Sequence, residues 1–161
     1  MNIDPAIRER LGLKEVNQIG IVVRDLEKAI DYYRKLGFGP FLIAEPDYWD
    51  KTYRGRPGDF RIRFAQFMIG SLEVEVVQQV AGRSIYDEFL ERNGEGLHHL
   101  GFKVTNMDEK IKEFAEMGIE VLQSGRREIA RWAYMDTEAI GGVIFELYER
   151  FKEQPIGGGR R

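Results

Sequence analysis

Apolar residues recur along the chain in two alternating rhythms. Val16-Asn17-Gln18-Ile19-Gly20-Ile21-Val22-Val23 and Leu97-His98-His99-Leu100-Gly101-Phe102-Lys103-Val104 are mostly apolar runs of strand length. After each, the apolar positions fall three and four residues apart: Leu26, Ile30, Tyr33 and Leu36, then Met107, Ile111, Phe114 and Met117. That spacing predicts one helix after each strand, capped by Asp25 or Asn106 and stopped at Gly37 or Gly118. β-rich segments follow in both halves. They are Phe41 to Ala44, Phe60 to Met68 and Leu72 to Gln78 in the first, and Glu120 to Leu122, Arg131 to Met135 and Val143 to Tyr148 in the second.

The two halves are copies of one unit. Laying the first strand over the second places Gln18 on His99, an offset of 99 − 18 = 81, and the same offset pairs Leu26 with Met107 and Gly37 with Gly118. Further on, Ile69 to Val76 lies over residues 140–147, an offset of 146 − 75 = 71, so the second copy is ten residues shorter. Each copy reads βαβββ. One copy alone leaves a sheet face bare, so the expected fold is α+β, with two pseudo-symmetric βαβββ modules pairing into a curved mixed sheet around a shared site. The expected boundaries are an N-terminal extension at 1–14, a first module at 15–79 and a connector at 80–96 with a short helix from Ser84 to Arg92. A second module at 97–150 and a tail at 151–161 complete one structural domain. The extra residues of the first copy, around Pro46 to Asp59, are expected to form a loop over the site.

Strand side chains alternate between faces, so equivalent slots in the two modules aim at one place. Those slots carry Gln18 and His99 on the first strands and Glu75 and Glu146 on the last. Each sits among apolar residues, where an unsatisfied polar group is costly. One amide oxygen, one imidazole and two carboxylates make a borderline to hard donor set, suited to Zn, Co, Ni or Mn rather than Cu(I). Against this, Glu75 within Glu73-Val74-Glu75 also fits a wet acidic face. Alternation sends His98 and His99 to opposite faces, which leaves His99 in register with Gln18 and gives His98 a structural role.

Composition narrows the setting. The 161 residues contain 24 Lys+Arg against 27 Asp+Glu, interspersed, which offers no concentrated positive field for nucleic acid. Nucleic acid and membrane are not expected partners, since no window approaches the roughly 20 apolar residues of a membrane span. The charged N-terminus lacks a secretory h-region, so the expected location is cytoplasmic. With no cysteine, thiolate ligands and thiol nucleophiles are excluded. Tyr48, Trp49, Trp132 and Tyr134 are candidates to line a pocket, and Arg61, Arg63, Arg126, Arg127 and Arg131 to meet a substrate anion.

At Val16 to Val23, Gly94-Glu95-Gly96-Leu97-His98-His99-Leu100-Gly101-Phe102 and Gly141-Gly142-Val143-Ile144-Phe145-Glu146-Leu147, the chain resembles the vicinal oxygen chelate superfamily. That superfamily includes glyoxalase I, methylmalonyl-CoA epimerase, extradiol dioxygenases and bleomycin-resistance proteins. The resemblance spans roughly residues 15–150, and the Gly-Glu-Gly-Leu-His-His run with the Gly-Gly-Val-x-x-Glu-Leu strand is most similar to the epimerase branch. It implies a divalent metal held at Gln18, Glu75, His99 and Glu146, with Glu146 and Glu75 as bases on the two faces of the reacting carbon. It also implies a small-molecule substrate, an acyl-CoA thioester or a hemithioacetal, and a homodimer. The implied activity is a metal-dependent isomerase or epimerase moving a proton next to a carbonyl or thioester. A lactoylglutathione lyase of the glyoxalase I kind is the alternative, and a non-catalytic small-molecule-binding protein of the bleomycin-resistance type is an alternative of another class. Two departures separate the branches. Epimerases usually have His where this chain has Gln18, whereas some glyoxalases I combine Gln with Glu, His and Glu. Some epimerases also carry a further glutamate on the strand before the first-module hairpin, and Phe60 to Phe67 has none.

Overall fold

The two βαβββ units meet along their first strands. In the computed structural model, which describes residues 5–139 and 141–152, β1 (Gln18–Val23) runs antiparallel to β7 (Gly96–Lys103). Each then pairs in parallel with the last strand of its own module, β1 with β6 (Leu72–Ala81) and β7 with β10 (Ile144–Arg150). Outside these lie β5 (Arg61–Ile69) and β2 (Leu42–Ala44) on one side, β9 (Ala130–Met135) and β8 (Val121–Arg127) on the other. The order β2-β5-β6-β1-β7-β10-β9-β8 is palindromic about the β1/β7 seam, as a pseudo-twofold requires.

Helix α2 (Leu26–Lys35) begins where the Asp25 side chain accepts a hydrogen bond from the Lys28 N–H at 3.1 Å, and Gly37 in the left-handed region ends it. It covers the outer sheet face through Leu26 and Ile30, against Ala65, Phe67, Val74 and Val76. Helix α4 (Met107–Glu116) repeats this in the second module over Ala133, Met135 and Leu147. Its start differs from expectation. Asn106 is left-handed and makes no side-chain cap, and its N–H instead bonds Glu149 at 2.9 Å.

The inner face closes on a third cluster, plugged by α3 (Ile85–Asn93), which Ser84 and Asp87 start as a capping box. Helix α1 (Pro5–Leu11) contacts α4. Among the described residues no helix is long and apolar enough to cross a membrane. The tail from residue 153 onward lies outside the described residues.

The extra segment of the first module is not a simple loop. It forms β3 (Trp49–Tyr53) and β4 (Arg56–Pro57), and β3 pairs with β8 at the far edge of the second module. The chain passes from β2 at one edge to β3 beyond the other in the five steps from Ala44 to Trp49. Five residues reach at most about 18 Å, whereas eight strand spacings along the sheet measure about 38 Å. The sheet must therefore curl until its edges nearly meet, with residues 45–48 strapped across the gap. A Tyr53–Glu88 bond, an Arg54–Glu88 fork at 2.9 and 2.6 Å, and a Thr52–Ser124 bond at 2.7 Å hold the hairpin in place.

The expectation that His98 and His99 face opposite ways also fails. Gly20 pairs with His99 but Ile21 pairs with Leu97, so His98 is the extra residue of a β-bulge. The bulge breaks the alternation. His98 and His99 are neighbours, with their Nδ1 atoms 3.0 Å apart and rings perpendicular.

Candidate functional site

The pseudo-twofold brings the four repeat slots together on the concave face. Gln18 on β1, Glu75 on β6, His99 on β7 and Glu146 on β10 are all buried. His99 Nε2 lies 3.3 Å from Glu146 Oε2 and 3.8 Å from Glu75 Oε2. Two glycines make this approach feasible. A Cβ on Gly20 would fall 1.8 Å from the His99 ring, and one on Gly101 would fall 2.9 Å from Gln18 Oε1 and 3.3 Å from Glu146 Oε2. Gly20 and Gly101 are themselves repeat equivalents, each facing the other module's polar residue.

Three of the four have one polar atom tied to a supporting side chain. Gln18 Nε2 donates to Glu73 at 2.6 Å, Gln66 Nε2 donates to Glu75 Oε1 at 2.9 Å, and His99 Nδ1 shares a proton with His98 Nδ1. Tyr134, the cross-strand partner of Glu146, exchanges a hydroxyl hydrogen bond of 2.7 Å with Tyr86. What these bonds leave over is informative. Gln18 Oε1, His99 Nε2 and Glu146 Oε2 are buried without any hydrogen-bond partner. An orphaned buried acceptor is costly, and here three of them converge.

Electrostatics carries the same signature. Burial pushes Glu146 up to about 8, and burial with the nearby Glu146 and Glu73 charges holds Glu75 well above the ordinary carboxylate range. Burial pushes His99 down to about 3. The imidazole is therefore neutral, and its contact with Glu146 is not an ion pair. Two carboxyl groups and a neutral imidazole brought to one point are the donors a divalent ion takes. Donors sharing an ion at about 2.1 Å lie about 3–4 Å apart, which the 3.3 and 3.8 Å separations match. Among the described residues no group of three His, Asp or Glu side chains is already arranged as a metal cluster.

The site lies at a small cavity of about 40 Å³, walled by Tyr48, Phe64, Trp132, Tyr134, Tyr148 and Arg127 among others. Of the expected pocket residues, Tyr48, Trp132 and Tyr134 are there, with Tyr48 on the strap standing edge-on to Trp132 at 5.5 Å. Trp49 is 45% exposed and outside it. Arg127 lines the cavity, with its guanidinium 5.9 Å over the Phe64 ring. Arg61 and Arg63 pair with Glu45 and Glu27 at the sheet edge, Arg126 sits over Phe151, and Arg131, though beside the cavity, is forked onto Asp108 and Glu149.

Sequence reading missed the supporting residues. Glu73 is not on a wet face but 4% exposed, accepting from Gln18, Gln66 at 3.0 Å and Arg150 at 2.7 Å. Its parity with Glu75 was the available signal, since both must share a strand face. Gln66 has the same kind of signal, alternating with Ile62 and Phe64 on the inner face of β5.

A sequence model of the glyoxalase/bleomycin resistance protein/dioxygenase superfamily matches residues 17–134. The uncharacterised protein YqjC of Bacillus subtilis is 24% identical over 140 residues, 85% of this chain and 93% of its own. Among solved structures, a methylmalonyl-CoA epimerase from Mycobacterium tuberculosis is similar with a TM-score of 0.65 and 23% identity, over 87% of this chain and 90% of that one. One from Streptomyces coelicolor, in complex with 2-nitronate-propionyl-CoA, is similar with a TM-score of 0.63 and 23% identity, over 89% and 99%. These likenesses carry the fold.

Proposed function

The chain belongs to the glyoxalase/bleomycin resistance protein/dioxygenase superfamily, and we propose that it is a divalent-metal-dependent isomerase or epimerase that shifts a proton next to a carbonyl or thioester, similar to methylmalonyl-CoA epimerase. Gln18, Glu75, His99 and Glu146 would hold the ion, drawn from Zn, Co, Ni or Mn. The observation that carries this reading is the convergence of three buried, partnerless donor atoms, with the other polar atoms of Gln18 and His99 tied to Glu73 and His98. A bound divalent ion supplies Lewis acidity, which favours loss of a proton from the carbon beside a carbonyl.

The side chains divide the remaining work. Glu75 and Glu146 reach the cavity from opposite modules, so each faces the reacting carbon from its own side and can remove or return the proton. Glu75 Oε2 stands farther from His99 Nε2 than Glu146 Oε2 does, 3.8 against 3.3 Å, which makes Glu75 the readier of the two to turn an oxygen toward substrate. Gln66 holds its other oxygen meanwhile. Tyr48, Trp132 and Tyr148 wall off water, which keeps the carboxylates strong as bases.

Gln18 favours a second reading, lactoylglutathione lyase-like chemistry, because its amide stands where the epimerase pattern has His. The inner face of β5 agrees, presenting Ile62, Phe64 and Gln66 and no glutamate. Both activities move a proton, so one pair of assays separates them. Solvent deuterium should enter methylmalonyl-CoA if the first reading holds. Turnover of the methylglyoxal–glutathione hemithioacetal alone would replace it with the second.

A further inference from the structure

Around the polar floor the internal repeat breaks at two positions together. Gln18 stands where the second module has His99, and Glu73 stands where it has Ile144, since Ile69 to Val76 lies over residues 140–147. In the sheet these are paired positions. Gln18 lies beside Glu73 across β1 and β6, and His99 lies beside Ile144 across β7 and β10. Where the module carries an amide, its neighbour is a carboxylate, and where it carries an imidazole, its neighbour is aliphatic.

The chemistry of the two donors explains the pairing. A carboxamide has two unlike ends of the same shape, and only the oxygen can serve a cation, so its orientation has to be fixed. Glu73 can only accept, and its bond of 2.6 Å from Gln18 Nε2 turns the amide so that Oε1 faces Glu146 across Gly101. Glu73 is in turn held by Gln66 at 3.0 Å and by Arg150 of the other module at 2.7 Å, which supplies the countercharge a buried carboxylate needs. His99 needs no such neighbour on β10, because His98 in the bulge already engages its Nδ1.

We propose that Glu73, anchored by Arg150, is the positioning residue that makes Gln18 an oxygen donor, so that Gln18 with Glu73 forms one unit interchangeable with the His99 and Ile144 unit. The inference rests on the reading of the four-residue set as a divalent-metal site.

The test is a Co²⁺ titration of the full chain by calorimetry and visible absorption. Three variants are compared with the unaltered chain: Glu73→Gln; Glu73→Ile with Arg150→Met, so that no arginine is stranded; and that pair with Gln18→His added. Losing a supporting partner costs about 10–100-fold in metal affinity. The Glu73→Ile, Arg150→Met pair should show that loss with an altered cobalt spectrum, and adding Gln18→His should restore affinity to within a few-fold. A merely structural Glu73 would weaken the pair and the triple variant alike. Undiminished affinity in the pair, or no recovery with Gln18→His, overturns the proposal. If the pair fails to fold, Glu73→Gln decides: a weakened, spectrally altered site supports it and an unchanged one overturns it. An unaltered chain that binds no Co²⁺ overturns the functional reading and this inference with it, whereas a cobalt site indifferent to Glu73 overturns this inference alone.

Discussion

Replacing Gly20 by alanine is the smallest perturbation aimed at the centre of the site. The added Cβ would lie 1.8 Å from His99 Cε1, 2.1 Å from Nε2 and 2.2 Å from Nδ1. Ordinary contact requires about 3.5–4.0 Å, so the ring has to retreat by roughly 1.7 Å or more. It has little room, with Tyr134 at 4.9 Å and His98 at 5.3 Å between ring centroids. Metal–ligand distances tolerate only about 0.2 Å. Gly20→Ala should therefore remove the imidazole from the donor set, with a loss of at least about 100-fold in Zn²⁺ or Co²⁺ affinity. Overpacking should also cost the fold about 1–3 kcal/mol, or about 2–4 °C per kcal/mol in a chain of this size. Gly101→Ala places its Cβ 2.8 Å from Gln18 Cβ, a milder overlap, and should give a smaller loss. Gly125→Ala crowds the Trp132 ring at 2.7 Å, away from the four donors, and serves as the overpacking control. The assay is calorimetric metal titration beside thermal melting. A Gly20→Ala protein that melts lower but binds the ion as before would refute the reasoning, because His99 would then have moved without consequence.

Three further outcomes follow from the same contacts. Tyr134→Phe strands the buried Tyr86 hydroxyl, so chemical denaturation should show a loss of about 1–3 kcal/mol; unchanged stability would contradict it. Arg54 beside Glu88 holds that carboxyl down at about 2, so the anchor between hairpin and α3 is present above pH 4.5 and lost as pH falls toward 2. The melting-temperature gap between the unaltered chain and Glu88→Gln should close over that range and narrow in high salt, since Arg54 is 45% exposed; a gap independent of pH would refute it. Without an ion, Glu146 keeps its proton up to about 8, and above about pH 6.5 the buried His98 and His99 no longer offset it through protons taken up on unfolding, so the folded state binds more protons than the unfolded one between about pH 6.5 and 8. Stability of the metal-free chain should fall as pH rises through that window, and Zn²⁺ should restore it with proton release; stability that rises with pH there would be the opposite of what burial dictates.

The convergence of the four residues was legible in the sequence because symmetry made it so. Gln18, Glu75, His99 and Glu146 occupy equivalent slots, and the strand parity that put them on one face is the parity of the sheet. The helices were legible for a similar local reason, the three-and-four spacing ending at Gly37 and Gly118. What escaped has two physical causes. A bulge inserts one residue and resets the alternation, so counting outward from His99 sent His98 to the wrong face. The β3–β4 hairpin gains its partner from β8 of the other module, 72 residues away at the Thr52–Ser124 bond, and no local pattern carries such a pairing. Glu73 lay between, since its parity was visible but its satisfaction by Arg150 is a contact between modules.

The central claim is that one divalent ion sits among Gln18, Glu75, His99 and Glu146. Elemental analysis of the purified chain beside its His99→Ala and Glu146→Gln variants tests it most directly. The account predicts close to one equivalent of Zn, Co, Ni or Mn per chain, falling to a small fraction in both variants while each remains folded. A metal-free native protein that takes up no divalent ion on dialysis, or variants that retain a full equivalent, would contradict it.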